Sequence, residues 1–319
     1  MTITTIQKIV HSYPKLSIQT FDKCLEEMKK SSFSISATIL PETAKHILNK
    51  HNKNNRNLNK VHVDSIARDI TNGNWHGHIG DELTIDKNGN VINGQHRLSG
   101  IVKAGKEVQA VIQFGSPPAL GGLIDRGRQK THADELYIKG QKKNATELAS
   151  LTNIALAMTN NQYRPQVWIN NNKASPIELS MFRTENEKEL KDSLAFTMSM
   201  PHGRDVMVTS TAALCHFVLK NTTHGKAKAE EFMSGLLTGA NLASDDPRYV
   251  VRNRFIMDIT SKDNKSLRSQ VRRDAALALV MKAFNSWIKN EKWSNKVRTP
   301  DEIPVIDGLK KMAKKKMYV

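Results

Sequence analysis

Cysteine is scarce: Cys24 and Cys215 are the only two in 319 residues. Two isolated thiols make no disulfide framework and no thiolate metal cluster, and they point to a reducing cytoplasm. Long apolar runs are missing as well. No stretch approaches the ~18 apolar residues of a membrane-spanning helix, and the N-terminus lacks the apolar core of a secretory signal. The expectation is a protein that neither spans a membrane nor is secreted. Acidic side chains are in deficit, with 31 Asp and Glu against 48 Lys and Arg, a net charge of +17. That excess favours a polyanionic partner, nucleic acid first, because each phosphate contact releases counterions. A merely soluble basic protein satisfies the same composition. No internal repeat and no helix-turn-helix signature stand out, so base-specific readout is not assigned.

The length allows a substantial core and two domains. Residues 32–40 alternate as a strand, and Pro41-Glu42 then opens a helix through residue 49, with Pro suited to the first turn. Residues 51–60 are polar and asparagine-rich, a surface loop by composition. A helix over 61–71 follows, with Val63, Ile66, Ala67 and Ile70 on one face and Gly73 as its stop. Leu83-Thr84-Ile85 and Val91-Ile92 flank the Asn-Gly turn signal of a tight hairpin. Asn93-Gly94 breaks the second strand. Residues 95–103 have helical spacing, with Leu98, Ile101 and Val102 on one face, and 108–114 alternate again as a strand.

From residue 144 the pattern is helical. Helices are expected over 145–158, 187–200, 209–220, 227–239, 247–260 and 266–289. Ser175-Pro176-Ile177-Glu178 is a capping box with Pro at the first helical position. Residues 163–173, which include Trp168, read as a polar loop. The fold class is α+β, with an α/β domain over 1–140, a basic helical domain over 141–309 and a basic tail over 310–319. Residues 141–319 hold 29 basic and 18 acidic side chains.

Chemistry concentrates at Asn93-Gly94-Gln95-His96-Arg97. Glycine permits a sharp turn and a close approach to a ligand, and the N–H groups opening the helix carry the positive end of its dipole. Arg97 adds a planar five-donor fork, and His96 a group that titrates near neutrality. Together they suit a phosphate, although an ordinary strand-to-helix turn has the same residue pattern. Asp125, Arg126 and Arg128 bring an acid and two cations to the same domain. Asp125 reads either as a metal or proton partner beside a triphosphate or as a turn residue paired with Arg128. Arg56, and Arg268, Arg272 and Arg273 at the start of the last long helix, are candidate nucleic-acid contacts. His76 and His78 are spaced for a shared metal, but no third ligand completes a familiar pattern, so no metal site is assigned. The bland alternative is that Trp75 caps the core and the histidines line its rim.

The hairpin followed by Asn93-Gly94-Gln95-His96-Arg97-Leu98 resembles the Asp-Gly-Gln-His-Arg signature of the ParB/sulfiredoxin-like superfamily, in the version common in phage and plasmid proteins. Asn55-Arg56-Asn57-Leu58, then Ile66-Ala67-Arg68-Asp69-Ile70 with Gly73-Asn74-Trp75, and Ile124-Asp125-Arg126-Gly127-Arg128 with Asp134-Glu135-Leu136 agree with it. The likeness covers residues 35 to 140. It implies a ParB/sulfiredoxin-like N-terminal domain whose Gly-x-x-Arg turn cradles nucleotide phosphates. Gln95 stands where sulfiredoxins have their cysteine and ParB clamps a glutamate. That excludes sulfinic-acid reduction and departs from the clamps' route to CTP hydrolysis. Asn93 stands in place of the usual aspartate.

Three functions follow as expectations. The first is a phage or mobile-element protein in the host cytoplasm that binds DNA through its helical domain. It would hold a nucleotide, a nucleoside triphosphate with Mg²⁺, at Asn93, Gly94, Gln95 and Arg97, with Arg126 and Arg128 completing the pocket; a homo-oligomer is compatible. The second is a metal-dependent nuclease or phosphotransferase with His96 as general acid or base and Asp125 as its partner. The third is a non-enzymatic phage protein that occupies a host factor.

Overall fold

The computed structural model describes residues 13–53, 55–75, 82–122, 130–260, 271–294 and 297–310. They form two compact units that divide between residues 129 and 130.

The first unit is built on a mixed five-stranded sheet of order β1-β2-β5-β3-β4. Its strands are β1 (Lys15–Leu16), β2 (Phe33–Ile39), β3 (Leu83–Asp86), β4 (Val91–Asn93) and β5 (Val108–Ser116). Helices α1 (Ile18–Glu27), α2 (Pro41–His51), α3 (Lys60–Thr71) and α4 (Gln95–Ala104) belong to the same unit. β2 and β5 pair antiparallel from Phe33 opposite Phe114 to Ile39 opposite Val108. β3 lies parallel to β5 and antiparallel to β4. A parallel neighbour requires a crossover, and here β4 and α4 supply it. The hairpin turn is tied by Asp86, whose Oδ1 accepts from the N–H groups of Asn88 at 2.9 Å and Asn90 at 2.8 Å. This buried carboxylate is therefore committed to the turn. Ile39, Ile47, Ile85, Leu98, Ile101, Ile112 and Phe114 fill the core beneath, all nearly inaccessible to solvent. Trp75 packs against this core.

The two-residue β1 was not signalled by periodicity; the helix that a short pattern over residues 21–30 suggests runs from Ile18 to Glu27, where Ser17 caps it by accepting from the Thr20 N–H. The other elements of this unit lie within a residue or two of the expected bounds.

The second unit is helical: α5 (His132–Ile138), α6 (Ala145–Asn160), α7 (Pro165–Asn171), α8 (Pro176–Glu185), α9 (Glu187–Ser199), α10 (Thr209–Leu219), α11 (Gly225–Thr238), α12 (Pro247–Thr260) and α13 (Val271–Ile288). Its only extended pairing among the described residues is an isolated bridge between Thr222 and Leu309. α10 supplies the centre, with every residue from Ser210 to Leu219 buried. A helix apolar on all sides belongs inside a core.

Two expectations need revision. α5 was expected with the first domain, but Leu136 lies in the second core. The stretch expected as a loop around Trp168 is α7, with Pro165 in its first turn and the N–H of Gln166 donating to both carboxylate oxygens of Asp274 at 3.1 and 3.2 Å. The Ser175 capping box forms as expected. Among the described residues no helix is long and apolar enough to cross a membrane.

Candidate functional site

The Asn93–Arg97 segment sits where β4 hands over to α4. Gly94 makes the corner with φ +107° and ψ 7°, a region that L side chains rarely occupy. A Cβ on Gly94 would stand 2.0 Å from Leu83 Cδ2, so the corner is also packed directly on the core. The first turn of α4 opens immediately behind it, and its amide N–H groups give that end of the helix partial positive charge.

The side chains of the motif divide into two groups. Gln95 and His96 are buried and hold the asparagine-rich loop that precedes α3. Gln95 Nε2 donates to the Arg56 carbonyl at 2.9 Å, and Asn52 Nδ2 donates to Gln95 Oε1 at 3.4 Å. The Asn59 N–H donates to His96 Nε2 at 3.0 Å. Asn55 Nδ2 adds bonds to the Val91 carbonyl and to Asn52 Oδ1, each at 2.6 Å. The loop is thereby fastened across the start of α4, and it leaves the Arg56 side chain exposed.

Arg97 and Asn93 face the other way. Arg97 Nη2 donates to the Glu82 carbonyl at 3.0 Å and to Asn93 Oδ1 at 3.2 Å, while Asn93 Nδ2 donates to the same Glu82 carbonyl at 3.1 Å.

The protonation state of His96 follows from this geometry. Burial, and then the positive charge of Arg56, hold its pKa below the ordinary histidine range. An Nε2 that accepts from a backbone N–H carries no proton, so the neutral ring bears its hydrogen on Nδ1. The lone pair needed for proton abstraction at Nε2 is already engaged.

Asp125, Arg126, Arg128, Arg268, His76 and His78 lie outside the described residues, as does the tail from residue 311. Arg272 is the second residue of α13. Arg273 follows it half-buried, its pKa lowered by desolvation and raised by the neighbouring Asp274. Of the candidate contacts in this helix, Arg273 thus turns partly inward.

The hydrogen bonds made by the asparagines at 52, 55 and 59 were not foreseen. Their one signal was density: an amide that both donates and accepts is suited to cross-linking backbone segments, but composition gives no partner. A broad open depression of about 690 Å³, lined in part by Lys15, Pro41, Gly105 and Lys106, is also present. Gly105 caps the far end of α4, about 16 Å from Gly94 at 1.5 Å per residue, so this hollow is not at the motif. Comparison of the chain with protein-family models, with curated proteins and with solved structures gives no match.

Proposed function

We propose that this chain is a DNA-associated protein of phage or mobile-element type, with a ParB/sulfiredoxin-like first unit that binds a phosphate-bearing nucleotide at the Asn93–Arg97 turn. The observation that carries the reading is the use made of Gln95 and His96. Both buried side chains are committed to holding the Arg56 loop against the first turn of α4. The exposed Arg56 side chain on that loop, Arg97 in the first turn of α4 and the helix N-terminus itself are groups suited to phosphate oxygens. In this reading Arg56, Arg97 and the backbone of Gly94 bind, while Asn93, Gln95 and His96 position. The net charge of +17 supports contact with the DNA backbone by the basic helical unit.

The nuclease or phosphotransferase reading draws less support, because His96 Nε2 is occupied by Asn59. A host-factor role has no specific observation in its favour.

Titration calorimetry with CTP and ATP, with and without Mg²⁺, tests the pocket. Each of Arg56→Ala and Arg97→Ala is expected to weaken triphosphate binding by about 10- to 100-fold, the worth of a charge-assisted hydrogen bond. No heat of binding to the wild-type protein removes the pocket. The DNA half is checked separately by fluorescence anisotropy on a duplex across a salt series. Contact with about 6 phosphates lowers affinity about 10³-fold between 50 and 200 mM salt, and a flat salt dependence removes that half.

A further inference from the structure

A second cluster of chemistry-bearing side chains lies away from the Asn93–Arg97 corner. Asp22 projects from α1, and His46 and His51 from α2. One candidate ligand atom from each lies within 4.8 Å of the others. His46 Nε2 is 3.6 Å from Asp22 Oδ1. Ligands bound at about 2.0–2.2 Å in a tetrahedron are about 3.4 Å apart, so this pair is already near bonding separation. Asp22 is the exposed member of the three.

The histidines are held for such a role. Both rings meet the fully buried Phe21 edge-on, with centroids 6.4 Å away for His46 and 5.3 Å for His51. His51 Nδ1 is 2.8 Å from the Gly89 carbonyl. A carbonyl only accepts, so Nδ1 carries the proton and Nε2 presents its lone pair. A ring nitrogen that donates to a backbone carbonyl while the other binds metal is the usual support for a ligating histidine.

We propose that Asp22, His46 and His51 bind a first-row divalent cation of the Zn²⁺ type, through two imidazole nitrogens and one carboxylate oxygen. Two imidazoles favour Zn²⁺, Co²⁺ or Ni²⁺ over Mg²⁺ and Ca²⁺, which take oxygen ligands. Three protein ligands leave a fourth position for water. The cation joins α1 to α2, and through the Gly89 carbonyl it bears on the tip of the β3–β4 hairpin. This inference is independent of the proposed phosphate site.

The test uses the full chain, free of any affinity tag and stripped with EDTA. Zn²⁺ is titrated against a chromophoric chelator, and Co²⁺ is followed by its visible absorption. One Zn²⁺ per chain is expected. Affinity should fall at least tenfold in Asp22→Asn and in each of His46→Ala and His51→Ala, with the Co²⁺ bands lost, and should be unchanged in Cys24→Ser. The proposal is overturned if the wild-type chain takes up no Zn²⁺, which would leave the histidines as packing partners of Phe21. Asp22 is exposed, so Asp22→Asn remains informative even if the histidine variants do not fold. Unchanged Zn²⁺ affinity in that variant overturns the three-ligand site.

Discussion

Gly94→Ala should destabilise the first unit by about 2–6 kcal/mol, from two separate costs. The corner has φ +107°, and holding an L residue in so sparsely populated a region costs about 1–3 kcal/mol. The new methyl would then stand 2.0 Å from Leu83 Cδ2. Leu83 is 3% exposed and part of the core, so it cannot swing aside into solvent, and overpacking of this kind costs about 1–3 kcal/mol more. Gly105 at the other end of α4 separates the two costs. It also has positive φ, +62°, but nothing lies within 4 Å of its added Cβ. Gly105→Ala should therefore cost only the conformational part, about 1–2 kcal/mol. Urea unfolding of the two variants beside the wild type measures both. Equal losses would mean that the Leu83 contact does not constrain the corner.

That corner was legible in the sequence because its causes are local. An Asn-Gly turn, a glycine between strand and helix, and an apolar stripe at Leu98 and Ile101 each act over a few residues. What periodicity cannot carry is a partner far along the chain. α7 was expected as a loop because its own residues include neither a cap nor a long apolar stripe. The group that satisfies its first turn is Asp274, 108 positions away. The same holds for the loop at residues 52–60, which composition made a solvated surface. Its asparagines are fastened to Val91 and His96 by bonds spanning 36 and 37 positions. His96 illustrates the consequence for function. As a residue type it suggested an acid or base, whereas its burial and its bond from Asn59 give it a fixed, neutral ring. Asp22, His46 and His51 were invisible as a set because they lie on two helices separated by a strand.

His216 gives the second large effect, a loss of stability on acidification that a single substitution should remove. The ring lies wholly buried in α10 and is stacked on Phe196, with centroids 4.3 Å apart and planes 18° from parallel. Neither ring nitrogen has a hydrogen-bond partner among the described residues. Glu230 Oε1 is 3.9 Å from Nε2, too far for a hydrogen bond, and it also faces Lys226 at 3.5 Å. Burial, with Lys220 and Lys226 acting in the same direction and Asp192 opposing, lowers the pKa from 6.5 to about 4.

The folded form therefore resists protonation while the unfolded chain accepts it. Between pH 6.5 and about 4 the unfolded state binds more protons, so stability is full above pH 6.5 and falls as the pH drops through this window. By pH 4.5 the loss amounts to about 2–3 kcal/mol, a large part of a typical domain's total. His216→Leu removes the titrating group and both unpartnered nitrogens at the cost of the ring stack, worth about 0.5–1.5 kcal/mol. It should lie within about 1 kcal/mol of the wild type at pH 7.5 and exceed it by about 2 kcal/mol at pH 4.5. His132, whose pKa burial also lowers, contributes in the same direction to both proteins and cancels in the difference. Chemical denaturation at the two pH values, followed by circular dichroism, reads that difference directly. If wild type and variant lose stability in parallel, protonation of His216 is not what limits the helical unit in acid.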